Sequence, residues 1–371
     1  MAKKKGIEMA KKKHVTIYGA GMSGLVAAIN LAREGYEVTV HDREKAYGGD
    51  PRYNPSTHTT PILPKKMSEY IGIDITSAFK PMVACPIYFH ETKVEMNLDG
   101  SGVYTVERGP RPTSLDSLLY PMACDLGVRF EFDSPLKRSD VPGLEPGTII
   151  ACGLTPEVYD MLSIPYRKWY GWISRGEIGF DCRSWIWFDE CITEYGYLSS
   201  VNNYYFNLLF SINPVSKQAL IKYQDLIKRH EGVEHDNWEY SGGAVPVLDK
   251  SNPKLMRNGL IYCGTISGYM DPFAWFGITG ALTSGKIAAM AVTDPAKAEA
   301  EFARFSRYFN TALYFKDYIW YPLLRSRVGL MEKGINLIGT DRLYKLLSAI
   351  IREDKHTPFA IPGYAGLGAC F

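Results

Sequence analysis

No stretch of this 371-residue chain reaches the roughly 18 uncharged apolar residues that a membrane span needs, so a bilayer-crossing protein is excluded as an expectation. Cysteine is sparse and scattered. The seven positions (85, 124, 152, 182, 191, 263 and 370) include no C-x-x-C pair and are odd in number, which argues against a disulfide framework or a structural metal and fits a reducing, cytoplasmic setting. An excess of one charge is also missing: 42 Lys and Arg against 40 Asp and Glu leave a net +2, which offers no reason to invoke nucleic acid. Lys3 to Lys5 and Lys11 to Lys13 are followed by no apolar core, so the start does not read as a signal peptide. The near-repeat of MAKKK reads as an alternative start or an artificial scar, and residues 1 to 13 are set aside. What the chain has in quantity is aromatic: 25 Tyr, 16 Phe and 7 Trp, which fill cores or line pockets for bulky apolar ligands. Its length and 46% hydrophobic content predict two domains plus a terminal extension.

The most informative stretch runs from His14 to Asp42: a β-rich run to Tyr18, a glycine turn, a helix with Leu25, Ala28, Ile29 and Ala32 at helical spacing, and a second strand, Glu37 to His41. Gly19, Gly21 and Gly24 fit G-x-G-x-x-G. The first glycine allows the tight turn, the second the approach of a pyrophosphate and the third close packing of helix on strand. The helix start from Gly21 through Met22 and Ser23 to Gly24 would turn free N–H groups toward phosphates. Asp42 ends the unit 23 residues after Gly19, where a carboxylate accepts from ribose hydroxyls and repels a 2′-phosphate. A ligand-free turn is the plain alternative, but strand, helix and acid all fall in register. A bound dinucleotide is the expectation, and the Gly48-Gly49 pair just beyond Arg43 favours FAD over NAD, because it resembles the extension found in FAD proteins of the glutathione-reductase-like superfamily.

Further along, the Pro- and Thr-rich segment after Gly49 predicts a long loop carrying His58, and Lys65 to Ile73 predicts a helix stopped at Gly72. Val103 to Glu107 predicts a return strand, with Arg111 placed just before a helix from Leu115 as a cation near the cofactor. Residues 148 to 153 read as a short buried strand ending at Gly153, a second passage beside the nucleotide. The aromatic segments between Tyr166 and Ile212 alternate as an antiparallel sheet, the floor of a substrate chamber. A strand ending at Cys263 then leads through Thr265, Trp275 and Phe276 into a helix beginning at Gly277 and Ile278, whose positive end suits an anionic ring edge.

These features together give an α/β fold: a Rossmann-like FAD-binding domain of glutathione-reductase-like type, an antiparallel β-sheet substrate domain and a helical C-terminal extension. The expected division is 14–60, 103–162 and 241–293 for the cofactor domain, 61–102 and 163–240 for the substrate domain, and 294–371 for the extension. The extension's Phe302, Phe305, Phe309, Phe315 and Trp320, interleaved with Arg304, Arg307, Lys316, Arg325 and Arg327, suit either a peripheral membrane contact or a packed layer. Residues 355 to 371 are expected to fold back over an entrance.

The layout resembles the geranylgeranyl reductase family of FAD-linked oxidoreductases, within the p-hydroxybenzoate-hydroxylase-like flavoproteins. The resemblance rests on Gly19-Ala20-Gly21-Met22-Ser23-Gly24, on Arg111 with Leu115-Asp116, on Gly242-Gly243-Ala244-Val245-Pro246, and above all on the run from Gly264 to Ala289, where Gly268, Pro272, Gly277, Ile278, Ala281, Ser284, Gly285, Ala288 and Ala289 stand in register. It implies FAD as cofactor, a small-molecule substrate that is bulky and apolar, of isoprenoid or polyketide-like kind, and reduction of its C=C bond with hydride from flavin N5. It also implies a separate donor, NAD(P)H or a redox protein, since no second G-x-G-x-x-G is present. The chain departs from the family pattern in having Thr265 in place of an aspartate and Trp275-Phe276 in place of a glycine and its small neighbour. Reduction needs a proton as well as a hydride. His58 and Tyr197 are the candidates, nominated from their expected position facing the ring. A flavin monooxygenase is the nearest rival, a non-catalytic binder of flavin, lipid or quinone the second. Trp185-Ile186-Trp187 matches half of a halogenase W-x-W-x-I-P motif, without its Ile-Pro.

Overall fold

The structure, a computed structural model, describes residues 13–95, 102–246, 254–272 and 274–342. Its first sheet grows from the glycine unit. Strand β1 (His14–Tyr18) pairs in parallel with β2 (Glu37–His41) on one side and β9 (Ile149–Ile150) on the other. β8 (Arg129–Glu131) extends it beyond β2, and β16 (Leu260–Tyr262) with β15 (Met256–Arg257) beyond β9, giving the order β15-β16-β9-β1-β2-β8. Helix α1 (Met22–Arg33) is buried from Met22 through Leu31, because it is covered by α3 (Leu115–Asp125) and by the long helix α6 (Ile278–Thr293). Small residues make this possible: a Cβ on Gly285 would stand 2.5 Å from the Ser23 carbonyl oxygen.

A three-stranded sheet of β3 (Ser56–Pro61), β7 (Val103–Arg108) and β4 (Phe79–Pro81), in the order β3-β7-β4, lies between the two larger ones. This corrects the loop expected around His58, which sits in β3 opposite Val106. Helix α2 (Pro64–Ile71), capped by left-handed Gly72, packs on α6. Met67, Ile71 and Phe79 share the core of the nucleotide unit, so residues 62 to 79 pack with that unit rather than with the chamber sheet.

The aromatic sheet has seven strands in the order β14-β10-β13-β12-β11-β5-β6: β5 (Ile87–Phe89), β6 (Thr92–Val94), β10 (Tyr166–Glu177), β11 (Ser184–Phe188), β12 (Gly196–Val201), β13 (Tyr204–Ser211) and β14 (Glu239–Pro246). Only the β11–β5 pair is parallel. β14, expected with the cofactor domain, belongs here instead, paired along β10 from Tyr166 to Ile173. One face is covered by α5 (Lys217–Glu231), whose Tyr223 is fully buried against Trp185 and Trp187. The other face is left toward the nucleotide unit. Short α4 (Pro156–Met161) bridges β9 and β14.

After α6 the chain continues through α7 (Pro295–Phe315), a π-helical segment Lys316–Leu324, and α8 (Val328–Ile338). Phe302, Phe305, Phe309 and Trp320 are buried, and so are Lys316 and Arg325, so these six residues pack inward. Among the described residues no helix is long and apolar enough to cross a membrane. Residues 355 to 371 lie outside the described residues.

Candidate active site

The three sheets enclose one continuous cavity of about 760 Å³. At one end it is walled by the C-terminal edge of the parallel sheet, where β1 and β2 both stop: Gly19, Gly21, Asp42, Arg43, Gly49 and Gly153 face it. The three glycines of the turn do different work. A Cβ on Gly19 would stand 2.4 Å from the Ala151 carbonyl oxygen, and one on Gly24 1.9 Å from the Gly19 carbonyl oxygen, so the fold itself demands both. A Cβ on Gly21 would meet no atom within 4 Å; it would project into open space beside the cavity. Gly21 is also the N-cap of α1, and no side chain caps it, which leaves the helix start available to an anion. A phosphate-bearing ligand fits that cradle.

Asp42 braces the turn. One carboxylate oxygen accepts from the Ala20 amide at 2.6 Å and the other from the Glu44 amide at 2.8 Å. Each oxygen keeps a further lone pair for a ribose hydroxyl. Arg43 is paired with Asp50 and, at 2.9 Å, with Glu44. Asp50 is shared with Arg52, and these hydrogen bonds and charges outweigh burial to hold its carboxyl below the usual range.

Thr265, Gly277 and Ile278 form the far wall of the nucleotide end, so the second helix start, that of α6, opens on the same cavity as the first. Gly264 makes the turn possible: its φ is +73° and its amide donates to Ser284 Oγ at 2.7 Å. Met22, Ser23 and Gly24 do not line the cavity; Ser23 is packed under Gly264 and Gly285, and Gly24 under the turn.

Arg111 is a correction. Its side chain reaches away from the cavity, 3.3 Å from Glu107 and over the Tyr204 ring at 4.4 Å, and donates to the Asn202 carbonyl at 3.2 Å. Arg108, at the end of β7, faces the cavity instead. It grips the fully buried Asp116 with two donors, Nε at 2.7 Å and Nη2 at 2.9 Å, while the Gly109 amide adds a third at 3.0 Å. Buried Asp116 needs a cation, and Arg108 is the one that left-handed Gly109, φ +118°, turns back toward it.

Beyond the nucleotide end the cavity is walled by rings of β10, β12 and β13, Trp169, Tyr197, Phe206 and Phe210, by Tyr195 just before β12, and by Trp275 and Phe276 from the loop before α6. Trp169, Tyr195, Phe206 and Phe210 are cavity residues that the periodicity of the strands assigned only to a sheet face. Both proton-donor candidates are here. His58 lies near Phe206, ring centroids 6.1 Å apart, with Nε2 2.8 Å from Ser56 Oγ. Burial, aided by the Arg108 charge, pushes its pKa down to about 3, so the imidazole is neutral. Tyr197 accepts from the Thr59 amide at 2.5 Å, and burial pushes its phenol up to about 12.

The chain matches the NAD(P)-binding Rossmann-like domain family over residues 17–60. It is 39% identical over 111 residues to flavin-containing monooxygenase FMO GS-OX4 of Arabidopsis thaliana, a stretch that is 29% of this chain and 21% of that protein. The chain thus spans about a fifth of that relative's length. Solved structures of similar fold include a geranylgeranyl bacteriochlorophyll reductase-like protein of Thermoplasma acidophilum, at TM-score 0.58 and 16% identity over 95% of this chain and 94% of that one. Another is a flavin-dependent halogenase, at TM-score 0.59 and 14% identity over 94% and 74% of the two chains. With its cradle, its acid at the end of β2 and its two helix starts on one cavity, the chain shares a Rossmann-like dinucleotide-binding fold with these solved structures, and a dinucleotide fits the cradle.

Proposed function

We propose that the protein is an FAD-dependent oxidoreductase that reduces a C=C bond of a bulky, apolar substrate of isoprenoid or polyketide-like character. The observation that carries this reading is the continuity of a dinucleotide cradle with a chamber walled by aromatic rings. Gly19, Gly21 and the start of α1 would hold the diphosphate, Asp42 a ribose, and Thr265 with the start of α6 the ring end. FAD, when bound, supplies a hydride equivalent at its N5 position.

The chain's own residues supply the rest. Reduction of an alkene adds a hydride to one carbon and a proton to the other, and an adjacent carbonyl would activate the bond. Tyr197 suits the proton donor: its oxygen is anchored by the Thr59 amide, and its high pKa keeps the O–H intact at neutral pH. His58, neutral and paired with Ser56, suits a role in orienting that corner. The apolar walls exclude water from the reacting carbons. A reductant, NAD(P)H or a redox protein, would restore the cofactor.

A second reading, monooxygenation, is favoured by the N-terminal similarity to a monooxygenase. One experiment separates them. Flavin bleached anaerobically with dithionite should recolour on adding trans-chalcone, an α,β-unsaturated ketone, with appearance of the dihydro product. Recolouring only with oxygen, accompanied by hydroxylated product, would establish the monooxygenase instead. Tyr197→Phe is expected to slow olefin-dependent recolouring by about 10²-fold or more, measured by stopped-flow absorbance.

A further inference from the structure

Trp275 is an unusual residue for its backbone. Its φ is +60°, a left-handed conformation that suits glycine and is uncommon for a bulky side chain. It stands two residues before Gly277, which faces the nucleotide end, and its ring meets Phe210 of the chamber edge-on at 5.1 Å between centroids. The indole therefore sits at the junction of the two halves of the cavity.

What holds it there comes from outside the cavity. Lys316, at the first turn of the π-helical segment and 3% exposed, donates to the Pro272 carbonyl at 2.8 Å and to Glu194 at 2.9 Å, and its ammonium lies 5.2 Å from the centre of the Trp275 ring. Tyr321, one turn on, donates to the other oxygen of Glu194. The loop is pinned at three more points: Tyr195 donates to the Ala274 carbonyl, the Ala274 amide donates to Asp271 at 2.7 Å, and the Trp275 amide donates to the Asp271 carbonyl at 2.9 Å. A buried ammonium is costly unless it is fully engaged, and this one is engaged by a carboxylate, a carbonyl and two rings.

We propose that Trp275 is the residue that sets the width of substrate the chamber admits, and that Lys316 of the C-terminal extension is the positioning residue that holds its indole in place. The two rings, in edge-to-face contact, close that side of the chamber, so that among bulky unsaturated carbonyl compounds the narrower ones are favoured. This deepens, and rests on, the reading of the chamber as the substrate site of an FAD-dependent oxidoreductase.

The test uses the full-length, FAD-loaded protein labelled with 5-fluorotryptophan. Trp275→Phe assigns the Trp275 resonance among those of the seven tryptophans. Lys316→Met should shift and broaden that resonance while FAD affinity, read by flavin fluorescence, stays within about threefold. Tyr195→Phe, which removes one loop hydrogen bond from a side chain of the same shape, should move the same resonance if Lys316→Met does not fold. Binding of trans-chalcone and of narrower 2-cyclohexen-1-one is then read from perturbation of the flavin absorbance. Trp275→Gly should raise the wide-to-narrow affinity ratio about tenfold, and Lys316→Met should raise it in the same direction. An unmoved resonance in both Lys316→Met and Tyr195→Phe, or an unchanged ratio in Trp275→Gly, would overturn the proposal. If no variant binds either ketone, the substrate class under the functional reading fails, and the resonance alone decides whether Lys316 positions the indole.

Discussion

At the scale of single residues, the glycine turn separates what the fold needs from what a ligand needs. Gly24→Ala would drive a methyl to within 1.9 Å of the Gly19 carbonyl oxygen, so it should lower thermal stability severely, whether or not cofactor is present. Gly21→Val should leave the melting temperature of the cofactor-free protein within a few degrees, yet reduce FAD affinity at least tenfold, because its side chain enters the space a phosphate would use. Calorimetry and flavin titration on the two variants test the contrast. His58 makes a pH prediction. Its folded pKa, about 3, lies below the ordinary value of 6.5, so the unfolded chain takes up a proton that the folded one refuses. Stability should therefore fall as pH drops below about 6.5 and go on falling toward pH 3, with this residue contributing about 1.4 kcal/mol per pH unit. His235, held down to about 4 by burial, adds a slope of the same sign. His58→Gln should flatten the acid side of the profile by one proton's worth, as measured by urea unfolding between pH 4.5 and 6.5.

At the scale of elements, α8 is tied to the chamber sheet by a histidine of the opposite sign. His90, between β5 and β6, contacts Glu332 of α8 at 3.1 Å and also binds Glu190, whose carboxylate accepts from the Gly329 amide at 2.8 Å. Asp189, itself paired with Lys222, lies 3.7 Å away. Burial alone would lower the His90 pKa, but the hydrogen bonds to Glu190 and Glu332 raise it above the usual value. The clamp is therefore whole below about pH 6.5 and loosens as pH rises through the raised folded value. Amides of α8 should exchange hydrogen faster at pH 9 than at pH 6, after correction for intrinsic rates, and His90→Gln should abolish the difference.

The elements also show what local pattern can and cannot carry. β1, α1 and β2 were legible because their apolar spacing and glycines are determined within thirty residues of chain. β3 was not: the run NPSTHTTP, rich in Pro and Thr, reads as loop, and only pairing with β7, nearly fifty residues on, makes Ser56–Pro61 a strand. Arg108 was passed over for Arg111 for a related reason. Which of two arginines reaches Asp116 depends on the backbone turn at Gly109, and spacing along the chain does not report it.

At the scale of the whole molecule, the cavity is a meeting of segments remote in sequence. The glycine turn, the end of β9 and the start of α6 were each expected beside the nucleotide, and their side chains do face one space. The rings that close the other end were visible only as an aromatic excess, because the choice of which face of β10 to β13 is covered rests on α5, and α5 declares its partner only in three dimensions. The C-terminal extension reaches the loop at Trp275 through a buried lysine that composition alone assigns to a solvated face.

That convergence has a temporal consequence. When the ribosome has released only the first hundred and sixty residues, the glycine turn and its aspartate exist, but Thr265, Gly277 and Ile278 do not. A nascent chain can thus offer a phosphate a foothold long before it can enclose the ring end of a dinucleotide. Retention of cofactor is therefore expected late in biosynthesis, once α6 has seated on α1.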